Sequence, residues 1–136
     1  MKKLQITLMI VLSSVFFTNG ATAQNKPLAC QTEAAAGLAW ESGRWVTKSF
    51  VTVKFILVQT GKTLTTDSIA KALNSPASQI TCRNINPQIE CTDLSGGSLF
   101  FNPPTLNGGI SQLLGSTISS AVRDTVTVQI FSCTPF

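Results

Sequence analysis

The sequence predicts a β-rich α+β fold: a single antiparallel sheet, curled into a small barrel or sandwich, with one short helix at about 65–74 and two disulfides. Three observations carry this. Short apolar-polar alternating runs recur between turn signals at Ser42-Gly43, Thr60-Gly61, Asn86-Pro87 and Ser95-Gly96-Gly97, the mark of antiparallel strands. Only one segment, Leu64 to Leu73, has helical periodicity with a start and a stop. Four cysteines follow an export leader, and an even count in a small exported chain implies two bridges.

The leader sets the compartment. Met1-Lys2-Lys3 is basic, Leu4 to Phe17 is mostly apolar, and Ala21-Thr22-Ala23 is a small-x-small triplet. This order reads as a signal peptide spanning 1–23, with cleavage before Gln24 and one globular domain over 24–136. The apolar run is shorter than the roughly 20 residues a membrane helix needs, so no stable membrane insertion is expected after cleavage. Pro27-Leu28-Ala29-Cys30 loosely resembles a lipid-attachment signal, but Leu28 sits one place late and polar residues separate Cys30 from the apolar run. The expected location is periplasmic or secreted.

The elements follow in order. Glu33-Ala34-Ala35-Ala36 has the composition of a helical turn, ended by Gly37. Ser42-Gly43 suits a two-residue hairpin loop, with Gly43 supplying positive φ. That register pairs Glu41 with Arg44 and Trp40 with Trp45, both favourable cross-strand pairs. Phe50 to Gln59 reads as a strand with apolar residues on both faces, hence partly central. Thr65 suits a helix N-cap, Leu64 and Ile69 a flanking staple, and Asp67 the first turn. Ile69, Ala72 and Leu73 make the apolar face, and Asn74-Ser75-Pro76 stops the helix.

A hairpin centred on Asn86-Pro87 sets Cys82 opposite Cys91 and Arg83 opposite Glu90. That register favours the bridge Cys82–Cys91, which leaves Cys30–Cys133. Leu99 to Asn102 is a strand, and Pro103 to Gly109 a loop. Ile110 to Val122 is ambiguous between helix and strand and is taken as irregular or strand-like. Arg123 to Cys133 is a strand in which Val126, Val128 and Ile130 alternate with Thr127 and Gln129.

Gly37-Leu38-x-Trp40-x-x-Gly43-x-Trp45, Lys54-Phe55-Ile56-Leu57-Val58, the helix segment, Phe101-Asn102-Pro103 and the closing Phe131-x-Cys133-x-Pro135-Phe136 together resemble a group of small exported bacterial proteins of unassigned function. The resemblance covers nearly the whole chain after the leader. It implies a bacterial, exported, single-domain protein and transfers no functional residue.

Composition excludes several chemistries. There is no His and no Tyr, so no Ser-His-Asp or Cys-His arrangement can form and no phenolic acid or base exists. Zinc lacks both His and a Cys-x-x-Cys spacing. No metal or cofactor is expected. The formal charge of +4 falls to +2 when Lys2 and Lys3 leave, and the remaining basic residues are scattered. Nucleic acid, which needs a concentrated basic footprint, is not an expected partner. Ser68-Ile69-Ala70-Lys71 matches a Ser-x-x-Lys pattern, but without the accompanying motifs it reads as a capping Ser and a solvated Lys. Gly61-Lys62-Thr63 lacks the upstream Gly of a phosphate loop and reads as a turn. Glu33, Asp93 and Asp124 are carboxylates without an expected structural partner.

Trp40 and Trp45 remain. With six Phe they are the only aromatics after the leader, so core packing is the first expectation. If their face is exposed, they and Arg44 become the contact for a partner or ligand. The functional expectation is therefore a non-enzymatic interaction protein of the inhibitor, immunity or envelope-associated type, with a protein of the envelope or extracellular space as partner. The alternative is a small-ligand or carbohydrate-binding module using Trp40 and Trp45.

Overall fold

A computed structural model describes residues 24–113 and 125–136. Among them are nine strands: β1 Asn25–Glu41, β2 Arg44–Ser49, β3 Lys54–Thr60, β4 Thr63–Leu64, β5 Thr81–Ile85, β6 Gln88–Thr92, β7 Gly97–Asn102, β8 Asn107–Gln112 and β9 Thr125–Pro135. Helix α1 spans Thr66–Leu73, and a 3₁₀ turn covers Ala77–Gln79. All pairings are antiparallel, in the order β4-β3-β1-β9-β8-β7-β6-β5, with β2 added to the far half of β1. The sheet is barrel-like and nearly closed, and α1 packs against β3 and β7.

The core sits between α1 and the concave face. Leu28 of β1, Leu57 of β3, Ile69 and Leu73 of α1, Ile89 of β6, Leu99 and Phe101 of β7, Ile110 of β8 and Phe131 of β9 are buried there. Phe131 meets Phe55 edge-to-face at 5.1 Å and stacks on Phe101 at 6.4 Å, geometries that aromatic quadrupoles favour.

The helix forms where its signals lie. Thr65 is the N-cap, in extended conformation, but its hydroxyl donates to Ser68 Oγ and makes no cap bond to a backbone N–H. Ser68 Oγ in turn donates to the Thr65 carbonyl. Asn74 closes the helix in the left-handed region, φ 53°, where its short polar side chain is tolerated.

Both disulfides, Cys30–Cys133 and Cys82–Cys91, join residues directly opposite each other on neighbouring strands. The two bridges, and the lack among the described residues of a helix long and apolar enough to cross a membrane, are consistent with an extracellular or other oxidising compartment.

Three local expectations are corrected. Glu33-Ala34-Ala35-Ala36 is not a helical turn but the middle of β1, because β9 and β2 hydrogen-bond to that strand there. Phe50 to Val53 is not strand. This stretch crosses the bulge of β1 through bonds from Phe50 N–H to the Ala35 carbonyl and from Thr32 N–H to the Val53 carbonyl. Asn107-Gly108-Gly109 is not loop but the first half of β8, since Gly108 admits the Phe131 ring against the strand. Of the nine described strands, β4 is a two-residue addition to β3, and β2 a six-residue addition to β1. Ile110 to Gln112 is strand; residues 114–124, and the leader expected at 1–23, lie outside the described residues.

Candidate functional site: the outer face of β2, β1 and β9

Strand β1 changes phase midway. Leu28, Cys30 and Thr32 point into the core, then a register shift falls between Thr32 and Ala34. A bulge adds one residue and reverses which side chains face inward. Beyond it Ala35 is buried, and the even positions Ala36, Leu38 and Trp40 turn outward.

Strand β9 keeps its phase. Phe131 and Cys133 are buried, which puts Thr127 and Gln129 on the inner side too. Val126, Val128 and Ile130 therefore face out, opposite Leu38, Ala36 and Ala34. The usual polarity of a half-buried strand is inverted over this stretch. Thr127 is 7% exposed while Val128 and Ile130 are each 56% exposed. The Thr127 Oγ1 and Gln129 Oε1 atoms are buried without a hydrogen-bond partner among the described residues.

The hairpin of β1 and β2 extends this face. Ser42 and Gly43 make its turn with positive φ of 48° and 81°, and the expected register is present: Trp40 opposite Trp45, Glu41 opposite Arg44. The indoles meet edge-to-face, centroids 5.3 Å apart at 69°. Trp40 is 41% and Trp45 37% exposed, so the expected core role is corrected: the bulge turns both rings away from the interior. The carboxylate of Glu41 pairs with Lys48 at 2.8 Å, not with Arg44. Arg44 stays exposed at the rim with no partner among the described residues.

The result is a continuous apolar surface. Trp45, Trp40, Leu38, Val128, Ile130 and, across Gly109, Phe100 share one face and are all at least a third exposed. Sequence reading singled out the two Trp and Arg44 and missed Leu38, Val128, Ile130 and Phe100. The signal was present in Val126-x-Val128-x-Ile130, but the outward side of an alternating strand is not written in the alternation.

Other candidates are not assembled. Ser68 is buried and bonded to Thr65, while Lys71 is exposed, with no bond between them. Gly61-Lys62 is a turn between β3 and β4. The Asp93 carboxylate accepts from the N–H groups of Ser95 and Gly97, at 2.8 and 2.7 Å, and so shapes the β6–β7 turn. Glu33 lies in a groove of about 640 Å³ beside the Cys30 bridge, which Lys54 and Ile56 also line. Asp124 falls outside the described residues. Glu90, nearly buried on β6, accepts from Arg83 Nε as the register predicted, and this bond raises the guanidinium above its ordinary pKa.

No family model, no curated protein and no solved structure matches this chain.

Proposed function

We propose that this is an exported, non-enzymatic interaction protein, periplasmic or secreted, that docks a protein partner on the outer face of β2, β1 and β9. Inhibitor, immunity-type and envelope-associated roles all belong to this reading. The observation that supports it is the inverted polarity of β9. The fold holds Thr127 and Gln129 inside and leaves Val128 and Ile130 in water, beside a half-exposed Trp pair. Contiguous exposed apolar surface of this kind marks interaction sites, and Trp and Arg are the residues that most often anchor them. The edge-to-face packing of the indoles offers no flat tandem platform, which favours a protein over a stacked sugar as the occupant.

The test uses the chain from Gln24 onward, made in an oxidising compartment and immobilised. Envelope and culture-supernatant proteins are passed over it and over a Trp40→Ala/Val128→Ser variant whose circular dichroism and disulfides match the parent. One stoichiometric protein retained by the parent and lost by the variant is expected. Equal retention by both would overturn the reading.

A further inference from the structure

The sheet does not close on itself: β4 and β5 are its two unpaired ends. At one end of that seam lies a cavity of about 370 Å³, lined by neither Trp, within the size range of small-ligand sites. Its walls come from the end of β3, the β3–β4 turn, the β5–β6 hairpin tip and the loop after β7.

The chemistry of these walls is uniform. Gln59, Asn84 and Asn86 bring three carboxamides to the lining, Lys62 brings the one charge, and no carboxylate lines the cavity. Gln59 is held by a bond from its Nε2 to the Gly61 carbonyl, 2.9 Å. The side chains of Lys62, Asn84, Asn86 and Gln88 make no hydrogen bond or ion pair among the described residues. Asn84 shares the inward face of its strand pair with Ile89, which is buried and floors the cavity. Three unpartnered polar groups, Lys62, Asn84 and Asn86, therefore line one concavity, while Gln88, opposite Ile85, belongs to the other face of the hairpin.

The remaining wall is Pro87, Pro103 and Pro104. Proline has no backbone N–H, so this wall offers no donor ladder to an extended peptide. Recognition falls to the carboxamides, each of which supplies a donor and an acceptor side by side. Neighbouring hydroxyls of a sugar have the same mixed character. An ammonium with no carboxylate beside it adds a preference for an anion.

The geometry points to a second binding site at the open seam, for a sugar acid: a hydroxyl-rich ring carrying a carboxylate. The carboxylate takes Lys62, and the ring hydroxyls take Asn84 and Asn86. This site is independent of the partner face, and either can fail without the other.

The experiment is a titration of ¹⁵N-labelled protein with galacturonic acid, galactose and trialanine, followed by proton–nitrogen correlation spectra. Galacturonic acid is expected to move the side-chain amide signals of Asn84 and Asn86 and leave the Trp40 and Trp45 indole signals in place. Lys62→Gln is expected to weaken galacturonic acid about tenfold, the loss of one charge-assisted bond, and to leave the weaker response to galactose unchanged. Asn84→Ala should weaken both sugars. All of these positions are exposed on short elements, so the backbone spectra of the variants report their folding directly. Carboxamide signals that stay fixed at saturating galacturonic acid would overturn the proposal. So would equal affinity in Lys62→Gln, or a response to trialanine and not to the sugar acid.

Discussion

Gly37 of β1 lies against the carbonyl oxygen of Val126 on β9, so close that a Cβ at position 37 would overlap it. The contact is made by backbone, which cannot rotate away as a side chain would. It sits where β1, past its bulge, carries β2 on one side and β9 on the other.

Gly37→Ala is therefore expected to destabilise the domain by about 1–3 kcal/mol, the range for overpacking a closed site. Gly108→Ala should do the same by a different route, since its Cβ would meet the Phe131 ring and the Phe100 carbonyl. Thermal unfolding by circular dichroism checks both. Gly43→Ala is the contrast: space is open there, and only the positive φ opposes the change, so a loss of about 1 kcal/mol is expected.

The two disulfides should differ in weight. Cys30–Cys133 closes a separation of 103 residues and Cys82–Cys91 one of 9. On chain entropy these correspond to about 4.7 and about 2.6 kcal/mol. Replacing Cys30 and Cys133 by Ala should lower the unfolding midpoint more than replacing Cys82 and Cys91. Access also differs: Cys30 and Cys133 are buried, whereas Cys82 is exposed. Mild reductant followed by alkylation and mass mapping should label Cys82 and Cys91 first. Simultaneous labelling of all four would show that the core bridge is as accessible as the edge bridge.

Trp emission should report a pair in contact with water. Each indole is more than a third exposed, so the emission of the folded chain should be red-shifted from that of a buried indole and quenched by iodide. Trp45→Ala should leave the fold intact and cost about 0.5–1.5 kcal/mol, the worth of an aromatic pair. A blue, unquenched spectrum would place the pair under cover.

What the sequence disclosed and what it hid divide along range. Local pairings were legible where turn residues and side-chain pairs agree: Glu41 with Arg44 around Ser42-Gly43, and Cys82 with Cys91 and Arg83 with Glu90 around Asn86-Pro87. The helix was legible because Thr65, Asp67 and Asn74 mark its ends. Strand phase relative to the core was not. The bulge between Thr32 and Ala34 leaves no residue signature, yet it decides whether Trp40 is core or surface. Helix propensity of Glu33 to Ala36 also lost to the two flanking strands, as propensity does when tertiary pairing competes. The seam cavity was invisible for the same reason, since it joins Lys62 to Asn84 and Pro103 across elements distant in sequence.

The inverted strand β9 gives the sharpest test of the partner face. If Val128 and Ile130 point outward, replacing them with Ser and Thr should change stability by no more than about 0.5 kcal/mol, as surface substitutions usually do, and should reduce adhesion to apolar resins. If Thr127 is inside with its hydroxyl unpartnered, Thr127→Val should raise stability by about 1 kcal/mol, because a desolvated hydroxyl without a bond is a cost. A register one residue off would exchange these outcomes: Val128→Ser would become costly and Thr127→Val neutral. Urea unfolding of the two variants side by side distinguishes the cases. The register seen here is fixed by Phe131 in the core and by the Cys133 bridge, both of which a slip would expel. These two residues hold the apolar side of β9 in water.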